Sequence, residues 1–179
     1  SRIGRRPIKL TDKVKVAVTG PSVVVEGPLG KLEALIPAGV SLKIESGVVN
    51  VVAPRATRNN RGFQGLMRAL LANMVTGVVT GYKRSLEITG VGYKAELKGD
   101  ELVISAGYSH VVRLHMPKGV KAVVDKSQTK VSLESIDKAL VGLMAAKIRA
   151  VKEPEPYKGK GIKYAGEAIR RKVGKTGAK

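Results

Sequence analysis

The chain contains one module written twice, and this duplication limits what it can fold into more than any other feature. Gly27 matches Gly107, Pro37 matches Pro117, Gly39 matches Gly119, Val40 matches Val120 and Val51 matches Val131, each pair 80 positions apart. The triplet Gly65-Leu66-Met67 returns as Gly142-Leu143-Met144 at an offset of 77, so the second copy is three residues shorter before this point. An offset held through a Pro-x-Gly-Val turn and on into an apolar segment marks a tandem pair of domains; a solenoid needs more repeats to bury its core. The join falls at Gly81-Tyr82. It divides the 179 residues into an N-terminal domain, 1–82, and a C-terminal domain, 83–179, that ends in a basic tail, 152–179.

Each copy reads as short strands followed by one helix. Val14, Val16 and Val18 alternate, as a strand with one buried face requires. Turn signals at Gly20-Pro21, Gly27-Pro28, Gly30, Pro37-Ala38-Gly39 and Ser46-Gly47 then separate strands over 22–26, 31–36, 40–45 and 48–53. Intervals this short suit antiparallel hairpins, because a parallel crossover takes a dozen residues or more. The period then changes. Phe63, Leu66, Met67, Leu70, Leu71, Met74, Val75 and Val78 form one helical stripe, with Asn59-Asn60 as cap candidates and Gly81 as the stop. The second copy predicts strands over 84–89, 93–98, 101–106, 111–116, 120–125 and 130–134. Its helix runs from Ile136 to about Val151, with Ser135 as cap and Ile136, Leu140, Leu143, Met144, Ile148 and Val151 on one face. The expected class is α+β: two tandem homologous domains, each a small antiparallel sheet packed on a helix, plus a basic C-terminal extension.

Charge narrows the function. Lys and Arg number 33 against 14 Asp and Glu, a net charge of +19. Such a charge repels itself and calls for a polyanionic partner. It is also unevenly placed. Residues 1–9 hold Arg2, Arg5, Arg6 and Lys9 with no acid, and Arg55, Arg58, Arg61, Arg68, Lys83 and Arg84 lie between Glu45 and Glu87 with no acid among them. Residues 150–179 carry nine bases and three acids. With no Cys there are no disulfides, thiolate metal sites or Cys nucleophiles. No apolar run approaches the ~18 residues of a membrane span. The basic start lacks the apolar stretch of a signal peptide, and the expectation is a soluble, intracellular chain.

Several motifs resemble enzymatic signatures and fail on context. Gly90-Val91-Gly92-Tyr93-Lys94-Ala95 matches the dinucleotide fingerprint, but the next residues, Glu96-Leu97-Lys98-Gly99-Asp100-Glu101-Leu102, read as a hairpin where that fingerprint needs a helix. Gly174-Lys175-Thr176 looks like the end of a P-loop, yet Ile169 stands where its first Gly belongs. His110 and His115 are the only imidazoles; on a strand they would face opposite sides, and no Cys or nearby acid completes a metal site. The close acid pairs, Asp100-Glu101 and Glu153/Glu155, have no His, Ser or Lys partner for acid–base work. The sequence therefore predicts no catalytic residues, metal or cofactor.

The tail combines features suited to folded RNA. Pro154 and Pro156 hold the exit from the helix extended. Gly159 and Gly161 let backbone approach a phosphate and offer N–H donors. Lys158, Lys160 and Lys163 neutralise phosphates without serving the fold, and Tyr157 and Tyr164 stack on bases or sugars. A solvated linker would gain nothing from those two tyrosines. Arg170-Arg171-Lys172 and the Gly- and Lys-rich end read as a disordered arm that orders on a polyanion. Lys94 and His110 join the candidate set as weaker neighbours.

The run Pro154-Glu155-Pro156-Tyr157-Lys158-Gly159-Lys160-Gly161-Ile162-Lys163-Tyr164 closely resembles the signature of the bacterial large-subunit ribosomal protein six family. Gly90-Val91-Gly92-Tyr93-Lys94-Ala95, Gly107-Tyr108-Ser109-His110, the length and the duplication are also similar to that family. The resemblance implies two homologous domains, each an antiparallel sheet packed on a helix. It further implies binding to 23S rRNA, mainly through the second domain, near the factor-binding region beside the stalk base and the sarcin–ricin loop. Neighbouring large-subunit proteins and nearby translation factors would be partners, on cytoplasmic ribosomes, with no small-molecule substrate.

Two rival readings are open to test. A membrane-surface or acidic-protein binder would set Arg55, Arg58, Arg61 and Arg68 beside an amphipathic helix, but the helix needs its apolar face for the sheet. An enzyme acting on nucleic acid would need an acid, base or metal cluster.

Overall fold

The computed structural model describes residues 2–45, 47–54 and 57–175. Contacts gather them into two units: one runs to Gly81, the other begins at Tyr82, and Ile136–Lys138 groups with the first.

In the first unit, β1 (Ile8–Lys9), β2 (Lys15–Thr19), β3 (Ser22–Gly27), β4 (Gly30–Leu35), β5 (Ser41–Glu45) and β6 (Val48–Val52) precede helix α1 (Arg58–Thr80). They form two antiparallel three-stranded sheets, β1-β6-β5 and β2-β3-β4. Alternation turns Val23, Val25, Val49 and Val51 inward, where they meet Met67, Leu71, Met74 and Val78 of α1 in one aliphatic core. Thr57 caps α1, its Oγ1 accepting from the Asn60 N–H at 3.3 Å. The cap candidates Asn59 and Asn60 lie inside the first turn, because extended backbone ends at Thr57.

The expected stripe of α1 is wider than the surface that covers it. Phe63, Leu66 and Leu70 are exposed at 41%, 50% and 39%. The helix therefore keeps apolar surface that the sheet does not use.

The second unit repeats the plan with β7 (Tyr82–Thr89), β8 (Lys94–Lys98), β9 (Glu101–Ser105), β10 (Val112–His115), β11 (Lys121–Val124), β12 (Lys130–Ser135) and α2 (Lys138–Val151). Its sheets are β10-β9-β8 and β11-β12-β7, the same order as in the first unit strand for strand. Two departures concern the helix. It starts at Lys138 rather than Ile136, and its buried face includes Val141 and Ala145 while Leu143, the counterpart of Leu66, is 53% exposed.

One element has no counterpart. β13 (Gly161–Tyr164) pairs antiparallel with the outer edge of β7, with Gly161 opposite Thr89 and Tyr164 opposite Leu86, which makes this sheet four-stranded. Ile162 is fully buried among Leu86, Ile88 and Ile148. The basic tail over 152–179 is thus no free extension in this part. An unpaired edge beside two buried residues of β7 leaves backbone donors and acceptors bare, and β13 satisfies them.

Candidate nucleic-acid interface

The residues after α2 form a tight, self-bonded turn. The Glu155 N–H donates to the Lys160 carbonyl at 2.9 Å, closing a loop over Pro156, Tyr157, Lys158 and Gly159. The Ile162 N–H donates to the Lys152 carbonyl at 2.8 Å, so the outgoing and returning chains run side by side. Gly161 lies where they cross, buried and with φ +142; a Cβ there would stand 2.7 Å from the Glu153 carbonyl oxygen and the Pro154 Cα. Its missing side chain admits the protein's own backbone rather than a phosphate. Gly159, also buried, lies under the Arg171 guanidinium.

Beyond β13 the chain folds back. The Lys172 N–H donates to the Pro156 carbonyl at 2.8 Å, which brings Arg171 and Lys172 to the turn that carries Tyr157 and Lys158. The segment expected to be a disordered arm is therefore placed at Arg170-Arg171-Lys172, because main-chain pairing fixes it; the end of the Gly- and Lys-rich stretch, 176–179, lies outside the described residues. Tyr157 is 57% exposed, and Lys158, Arg170, Arg171 and Lys172 are exposed beside it.

Not every base in the tail is free. Lys163 Nζ is 3.3 Å from Glu87 Oε2 across the β13–β7 pair. It cannot be grouped with Lys158 and Lys160 as a cation that leaves the fold untouched. Half-buried Tyr164 lies under the Arg149 guanidinium, 5.9 Å from its ring centre.

Arg149, from the last turn of α2, holds the return segment. It donates to Glu167 through Nε (3.2 Å) and Nη2 (2.8 Å), while Glu167 Oε2 also accepts from the Tyr164 N–H at 2.9 Å. Glu153 approaches Arg149 Nη1 at 3.6 Å. The Arg149 guanidinium first, and the Tyr164 N–H second, hold the Glu167 carboxyl below the ordinary glutamate range. Two acids of the tail, Glu153 and Glu167, thus pair with a helix cation instead of cancelling the exposed ones.

Two further loops reach the same end of the unit. Gly107, at φ +74, turns the chain out of β9; a Cβ on it would lie 2.8 Å from the Tyr93 hydroxyl, and one on Gly90 would lie 2.8 Å from the other end of that ring. The two glycine motifs therefore close on Tyr93. The Tyr108 hydroxyl donates to the Val151 carbonyl at 2.9 Å, tying this loop to the root of the tail. His110 precedes β10 and is exposed, so the opposite-face reading of the two histidines does not apply. Lys94 opens β8, 53% exposed, with Nζ 3.0 Å from Glu96 Oε1. Among the described residues no group of three or more His, Cys, Asp or Glu is placed to hold a metal, and no helix is long and apolar enough to cross a membrane.

Sequence reasoning missed Arg149. It had Lys152 only as the first base of the tail and Tyr108 only within the Gly107-to-His110 motif, without naming either as a contact residue. In the first unit, Arg68 Nε donates to the Arg6 carbonyl at 3.3 Å, so Arg68 ties the N-terminal arm to α1, while Arg58 and Arg61 are exposed and Arg55 lies outside the described residues.

A model of the family described as ribosomal protein L6 matches residues 11–81 and again residues 89–165, once on each copy of the repeat. The chain is 52% identical over 178 residues to a protein named large ribosomal subunit protein uL6 from Anaeromyxobacter sp. (strain Fw109-5), covering 99% of each. Relatives of the same name from Desulfatibacillum aliphaticivorans and Nostoc sp. are 52% and 51% identical, over 99% of this chain and 99% and 97% of theirs. A twofold match on the duplicated fold, with half of all positions shared end to end, places the chain in the ribosomal protein L6 family.

Proposed function

We propose that the chain is a structural, non-catalytic constituent of the large ribosomal subunit in the cytoplasm, binding 23S rRNA through one end of its second unit. The carrying observation is the turn at 155–160. It is fixed by its own hydrogen bonds, and it presents Tyr157 and Lys158 beside Arg170, Arg171 and Lys172. Lys160, Lys94 and His110 flank them. Gly159, Gly161, Lys163 and Tyr164 shape the turn and its strand, so their part in binding is to hold the contacting groups still. The relatives' name supports the large subunit as the assembly. The resemblance points to the factor-binding region near the stalk base, with neighbouring ribosomal proteins and translation factors at hand.

Rigid cations suit A-form RNA. Its deep major groove cannot be read by side chains, so affinity comes from counterion release and selectivity from shape. If about six phosphates are neutralised, log K for 23S rRNA falls with log salt at a slope of about −4 to −5. Changing Lys158 and Lys160 together to Ala reduces that slope by about 2 while leaving stability within about 0.5 kcal/mol. A salt-independent affinity, or a chain that sediments apart from large subunits in gentle low-salt lysates, contradicts the proposal.

A further inference from the structure

The loop at 107–110 carries surface chemistry that the cationic turn does not account for. Aromatic residues are scarce in this chain, five Tyr and one Phe. Two of the tyrosines, Tyr108 and Tyr157, are strongly exposed, at 46% and 57%, and both stand at the same end of the second unit. Exposure of Tyr108 is not looseness. Gly107 is pressed on the Tyr93 ring, and the Tyr108 hydroxyl is bonded to the Val151 carbonyl. His110 stacks on Tyr108, ring centres 5.8 Å apart and planes 20° from parallel, and Lys152 Nζ lies 4.8 Å from the Tyr108 ring centre. Both residues are exposed to solvent.

A stack held through the Tyr108 hydroxyl, with Lys152 over the Tyr108 ring and His110 exposed, matches what an unpaired nucleobase requires: a flat π surface, here offered by His110, with a cation near it for the attached phosphate. A core contact would have buried the rings, and a solvated loop would not have anchored them. We propose that the Tyr108–His110 stack, with Lys152 over the Tyr108 ring, seats one unpaired nucleotide of a folded RNA, its base on the exposed His110 ring and its phosphate toward the lysine. This rests on the rRNA-binding reading and adds to it a distinct type of contact. The cations of the turn at 155–160 engage the sugar–phosphate backbone, whereas this loop takes a base that has left its helix.

The test uses the full chain and a 23S rRNA transcript in which part of the uridine is replaced by 5-iodouridine. Irradiation is expected to join the transcript to Tyr108 or His110, located by mass spectrometry of the cross-linked peptides. In parallel, His110→Ala is expected to bind unmodified transcript about 5- to 150-fold more weakly, the range a stacked base contributes. Because stacking releases no counterions, the salt slope stays unchanged. His110→Phe keeps a ring at that position and restores binding, which separates loss of the stack from loss of the fold. The inference is overturned if His110→Ala binds as the parent does, or if its salt slope falls by about one, which would make the residue a phosphate contact. If the parent chain fails to bind the transcript at all, it is the rRNA reading that falls.

Discussion

Arg149 is a cation that serves the fold. Its guanidinium takes both oxygens of Glu167, which in turn accepts the Tyr164 N–H, so one ion pair fixes where β13 ends and where the chain turns back. The pair is partly exposed, with side chains at 27% and 26%, and solvent screening limits its contribution to about 1 kcal/mol. Because the Glu167 carboxyl is held below its usual 4.5, this contribution is fully present above about pH 4.5 and is lost as pH falls through the depressed folded value. Glu167→Gln is therefore expected to lose about 1 kcal/mol near neutral pH by urea denaturation, and the difference from the parent should close in acid. A gap that persists at low pH would assign the loss to packing. Nothing in the sequence revealed this pair. Arg149 and Glu167 are 18 positions apart and lie in different segments, one in α2 and one after β13, so no periodicity relates them and only the folded chain brings them together.

At the scale of elements, β13 has the largest consequences. Ile162 is fully buried against the β7 side of the core, and Ile162→Ala is expected to cost about 2–5 kcal/mol. The same variant should weaken rRNA binding, because the strand sets the position of Lys158 and Arg171. Thermal unfolding and filter binding of one preparation check both, and lost stability with intact affinity would show that the turn holds itself. The strand was hidden in the sequence because four residues give only two alternations, and the Gly and Lys around them read as a solvated loop. The other strands were legible from their turn residues, β1 excepted at two residues long. The stripe of α1 failed differently. Periodicity shows which positions share a face, but not how wide the partner surface is, so Phe63, Leu66 and Leu70 were assigned to a core that does not reach them.

For the whole molecule, the duplicated layout and the excess charge were both legible in the sequence, because each is a property summed over many residues. Ion pairs of the structure engage Lys83, Lys94, Lys98, Arg149 and Lys163. Such pairs sum to zero, so the +19 excess is untouched by them and is left to repel itself. Added NaCl screens that repulsion, so the Tm of the free chain should rise across a salt series in which its rRNA affinity falls. Opposite trends in one buffer series are the expected outcome; a Tm that drops together with the affinity would mean that the charge is already balanced within the fold. The first six strands of the second unit and its helix are laid down before β13, which closes the sheet against a strand begun near residue 82. During synthesis the edge of β7 thus stays open until residues 161–164 have been made, just after the cationic turn at 155–160. A chain interrupted before residue 161 is expected to leave that edge of β7 open and to lack the hydrogen bonds that anchor the turn.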